Sequence, residues 1–85
     1  MAKGVRITEK SMRAAFKEAG FDHVDVTVVE IKQRGSNSHC RVLWRLPEGT
    51  KGVMNVTGDV LPEAPRHRIA KIRSEVLTSR RTLGM

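Results

Sequence analysis

The chain has 85 residues, 16 Lys and Arg against 9 Asp and Glu, a formal charge of +7 and a sequence pI near 10.6. This length excludes two ordinary domains and lies near the lower limit for a self-sufficient core, a setting in which a homodimer or a bound partner adds stability. A single cysteine, Cys40, excludes an intramolecular disulfide and makes a reducing, cytoplasmic setting the expectation; the lack of a long apolar run adds a soluble chain with no membrane partner.

Thr8 is placed to cap a first helix, with Ile7 before it spaced to pack on Met12 as a hydrophobic staple. Met12, Ala15, Phe16 and Ala19 form the apolar stripe of that helix, and Gly20 suits a left-handed residue after its end, with Phe21 folding back on Phe16. Lys10, Arg13 and Lys17 fall on the wetter side, where Glu9 and Glu18 dilute their charge into an ordinary solvated face.

The period changes in residues 22–32: Val24, Val26 and Val28 alternate with Asp25 and Thr27 as a half-buried antiparallel strand requires. Val29 and Ile31 break the parity, which fits a bulge, a strong twist or burial on both faces. A polar turn at 34–39 leads into Cys40, Val42, Trp44 and Leu46, whose alternation with Arg41, Leu43 and Arg45 predicts the second strand of a hairpin. Trp44 on the inward side reads as a core anchor rather than a base-stacking platform. Pro47, Glu48 and Gly49 mark another turn, and residues 51–57 predict a short third strand, the weakest of the elements.

The longest helical pattern occupies residues 62–81. Ile69, Ile72, Val76 and Leu83 recur on one face, Pro62 or Pro65 suits its first turn, and Gly84 suits its stop. Glu75 is the only acid between Arg66 and Arg81, against Arg66, Arg68, Lys71, Arg73, Arg80 and Arg81. Arg66, Arg73 and Arg80 border the apolar face while His67, Lys71 and Arg81 oppose it, so the helix offers two cationic surfaces. The fold expected is a small single α+β domain over 1–85: a helix, a two- or three-stranded antiparallel sheet and a C-terminal helix (αβββα or αββα), with flexible ends at 1–6 and 82–85.

Catalysis finds little support. His23, His39 and His67 are dispersed, and no zinc-ligand cluster, phosphate loop or dinucleotide fingerprint is present. His39 and Cys40 are strand neighbours pointing to opposite faces, which argues against a nucleophile and base. The expectation is a non-enzyme without metal or cofactor. The order αβββα is also that of double-stranded RNA-binding domains, and His67-Arg68-Ile69-Ala70-Lys71 resembles the basic start of that family's last helix. Ile72 and Arg73 stand where the family has two small residues, and residues 34–39 lack its proline-and-histidine loop, so neither membership nor RNA specificity is carried over.

The function expected is non-enzymatic binding of DNA or RNA, with phosphate contacts from Arg66, Arg68, Lys71, Arg73, Arg80 and Arg81 and a second group at Lys32, Arg34, Arg41 and Arg45. The alternative is a small regulator or inhibitor of the kind bacteria and their viruses encode, docking on an acidic protein surface. A homodimer formed by strand or helix pairing is compatible with either.

Overall fold

A computed structural model describes residues 4–31, 39–58 and 60–83. In chain order these form strand β1 (Val5–Arg6), helix α1 (Glu9–Glu18), strands β2 (Asp25–Ile31), β3 (His39–Arg45), β4 (Lys51–Thr57) and β5 (Val60–Leu61), and helix α2 (Pro65–Leu83). The class is α+β, and all three strands of the expected sheet form. β2, β3 and β4 make an antiparallel sheet in that order, while β1 and β5 make a separate two-stranded ladder. That ladder has no sequence signature, because two residues are too few for alternation to register. Val5 and Arg6, read above as part of a flexible end, pair with Leu61 and Val60, and α2 continues through Leu83.

Local chemistry sets the limits of α1. The Thr8 hydroxyl accepts the Ser11 N–H at 3.0 Å, and the Ser11 hydroxyl accepts the Thr8 N–H at 2.8 Å, so two donors left over at the helix start are satisfied reciprocally. At the other end Gly20 takes φ +101°, the Gly20 N–H reaches the Lys17 carbonyl at 3.0 Å and the Phe21 N–H reaches the Phe16 carbonyl at 2.8 Å. This is the paired C-terminal closure that a left-handed glycine permits, and it brings the Phe21 ring edge-on to Phe16 with centroids 6.3 Å apart.

The sheet is two-faced. Val26, Cys40, Val42, Trp44, Met54 and Val56 are buried beneath the helices with Met12 and Phe16 of α1 and Ile72 and Val76 of α2. α1 lies against β2, α2 lies against β4, and the helices touch each other. The pairing of β2 with β3 runs without interruption from Asp25↔Arg45 to Ile31↔His39, so the parity break at Val29 is not a bulge. Val29 instead faces water, and Glu30, opposite the buried Cys40, sits on the edge strand where the Arg6 guanidinium comes within 3.9 Å.

Candidate nucleic-acid interface

α2 opens at Pro65, whose missing N–H costs nothing in the first turn; the Ala64 carbonyl accepts the N–H groups of His67 and Arg68, each at 3.1 Å. Ile72 and Val76 are fully buried and Ile69 partly so, which turns Arg66, His67, Ala70, Lys71, Ser74, Leu77 and Arg81 toward water. Glu75, the one acid in this stretch, is half-buried, and its carboxylate accepts the Trp44 indole N–H at 3.3 Å. It serves the core rather than the cationic surface.

The six cations of α2 divide into two sets. The Arg68 side chain is only 13% exposed: Nε and Nη2 grip the two oxygens of Glu18 at 2.8 and 2.9 Å, and Nη1 donates to the carbonyls of Pro62 and Glu63, each at 3.0 Å. This guanidinium holds the Glu18 carboxyl below its ordinary value, mainly through the hydrogen bonds, and Glu18 in turn raises that of Arg68. Arg73 donates from Nε to the Ala19 carbonyl at 3.2 Å, closing the C-terminal end of α1 with a positive charge where the helix dipole favours one. Arg80 pairs with Glu48 at 2.8 Å and lies over the Phe21 ring at 5.8 Å; Glu48 is held below its ordinary value first by the Thr50 hydroxyl and then by Arg80. Arg66, Lys71 and Arg81 are exposed and make no hydrogen bond or ion pair with another described residue.

Pairing also changes the standing of α1. Glu9 is 3.5 Å from Arg13 and Glu18 is taken by Arg68, so the acids that dilute this helix in the sequence are already engaged, and Lys10 and Lys17 stay exposed in the same layer as α2. Sequence reasoning passed over these two lysines because it shows charge balance and not which acid meets which base.

The second group of expected contacts lies elsewhere. Arg41 and Arg45 are exposed on the helix-free face of the sheet, where Arg41 donates to the Asn55 side chain at 3.4 Å and Arg45 is 3.8 Å from Asp25. They are separated from the α2 cations by the sheet and the core, so one rigid ligand cannot lie flat against both groups. Lys32 and Arg34 lie outside the described residues. Cys40 is fully buried, which keeps it apart from half-buried His39 on the opposite face of β3.

Among the described residues no group of three or more His, Cys, Asp or Glu side chains could hold a metal ion, and no helix is long and apolar enough to cross a membrane. Comparisons with protein-family models, with curated proteins and with solved structures found no match to this chain.

Proposed function

We propose that this domain is a non-enzymatic nucleic-acid-binding module whose helix layer holds phosphates through Arg66, Lys71 and Arg81 of α2, with Lys10 and Lys17 of α1 beside them. The observation that carries the reading is the division among the α2 cations: Arg68, Arg73 and Arg80 are engaged by Glu18, the Ala19 carbonyl and Glu48, while Arg66, Lys71 and Arg81 face water with no acid beside them among the described residues. Arg66 and Arg81 stand ~22 Å apart along the helix axis, a span that meets several phosphates of a duplex. Binding on this basis is driven by release of condensed counterions and carries little sequence preference. The rival reading, recognition of an acidic protein, draws its support from the other side of the sheet, where cations border exposed aliphatic side chains.

A salt titration against duplex DNA, duplex RNA and single strands tests the proposal. The triple variant Arg66→Gln, Lys71→Gln, Arg81→Gln is expected to keep its melting transition and to reduce the slope of log K against log salt on B-form DNA by about 0.9 per lost contact, about 2.7 in all. Wild-type protein that binds none of these at low salt, or a variant with an unchanged slope, removes the assignment.

A further inference from the structure

The helix-free face of the sheet departs from the usual economy of an antiparallel sheet, in which the side turned to water is polar. Register aligns three outward rows on it: Asp25, Arg45 and Lys51; then Thr27, Leu43 and Val53; then Val29, Arg41 and Asn55. Val29, Leu43 and Val53 are 43%, 41% and 48% exposed. Leu43 lies directly opposite Val53 and diagonally beside Val29, so the three are neighbours on one exposed face and make up an aliphatic patch. A shallow depression at its edge is lined by Thr27, Leu43, Arg45, Lys51, Gly52 and Val53. Cations stand at both ends, Arg45 and Lys51 at one and Arg41 at the other, and among the described residues of these rows the one carboxylate is that of Asp25, which is already near Arg45.

We propose that this face docks an acidic protein segment in which aliphatic side chains are interspersed with carboxylates. The charge selects the occupant. A second copy of the chain laid face to face would set this net positive surface against an identical one. Among the described residues of this face a nucleic acid would find cations but no phenyl, phenol or indole ring on which to stack a base, and its phosphates would bury nothing against Leu43 and Val53. An acidic segment with aliphatic side chains satisfies both halves of the surface, covering Val29, Leu43 and Val53 while carboxylates meet Arg41, Arg45 and Lys51. This site is separate from the phosphate-holding helix layer and stands or falls independently of it.

The probes are three synthetic peptides of equal length: alternating glutamate and leucine, glutamate alone, and alternating lysine and leucine. Each is titrated at neutral pH into isotope-labelled protein, with amide shifts and calorimetric affinity as readouts. The glutamate–leucine peptide is expected to shift amides of residues 25–29, 41–45 and 51–55 while leaving those of α2 in place, and to bind at least ten-fold more tightly than the other two. Leu43→Thr with Val53→Thr, and separately Arg45→Gln with Lys51→Gln, are expected to weaken it at least ten-fold with unchanged melting, since both pairs are exposed and threonine suits a strand. Shifts confined to α2, equal binding of the all-glutamate peptide, or no binding of any peptide would overturn the proposal. So would a dimer in sedimentation that Leu43→Thr dissolves, or an oligonucleotide that shifts this face in place of the peptide.

Discussion

Trp44 is where the helices and the sheet meet. Its ring stacks at a tilt on Phe16, centroids 5.5 Å apart, its indole N–H reaches Glu75, and the side chain is almost wholly buried. Replacing it by alanine removes both the aromatic volume and the indole N–H that donates to the half-buried Glu75 carboxylate, and is expected to cost about 3 to 5 kcal/mol, read as a shift in the urea midpoint. Glu75→Gln keeps an acceptor in place and is expected to cost about 1 kcal/mol or less. Gly52 lies directly across the sheet from Trp44, and a methyl group there would come within 2.8 Å of the indole and 2.6 Å of the Ser79 hydroxyl. Gly52→Ala is therefore expected to destabilise by about 1 to 3 kcal/mol. The loss should shrink in a Trp44→Phe background, where the smaller ring gives way; an undiminished loss in that double-mutant cycle would place the clash elsewhere.

The two helices are joined by charge as well as by packing. Glu18 near the end of α1 is held by Arg68 of α2, and because its carboxyl lies below the ordinary value in the folded chain, the pair stabilises fully above the unfolded carboxylate range and is lost as pH falls through the lowered value. Between pH 7 and pH 3 the wild type is expected to lose more stability than Glu18→Gln, measured by urea unfolding at each pH; parallel losses would show that the pair contributes nothing to folding. The elements themselves were legible in the residues: the Thr8 cap, the Gly20 stop, the inward run from Cys40 to Leu46 and Pro65 at the head of α2 are short-range signals, and each operates as its chemistry dictates. What sequence could not show is non-local. An alternation broken at Val29 reads equally as a bulge or as an outward aliphatic until register is known, and nothing in six basic residues tells which will meet Glu18, the Ala19 carbonyl or Glu48. The candidate surface was thus visible as composition and invisible as pairing.

At the scale of the molecule, the exposed cations lie on opposite sides of one domain: Arg66, Lys71 and Arg81 outside the helices, Arg41, Arg45 and Lys51 on the bare sheet. Ligands bound on the two sides do not collide, so a duplex and the glutamate–leucine peptide are expected to bind together, each changing the other's affinity by less than about two-fold. Competition between them in a calorimetric titration would mean that both occupy one surface. The ladder of β1 and β5 has a consequence in time. Neighbouring strands β2, β3 and β4 zip through short connections, whereas Val5 finds Leu61 only after almost the whole chain between them has been gathered, an ordering cost met late in folding. Val5 and Arg6 are exposed and held by a two-residue ladder, so this seam opens while the sheet stays shut: amide hydrogens there are expected to exchange with solvent at least about ten-fold faster than those of Val42 and Trp44.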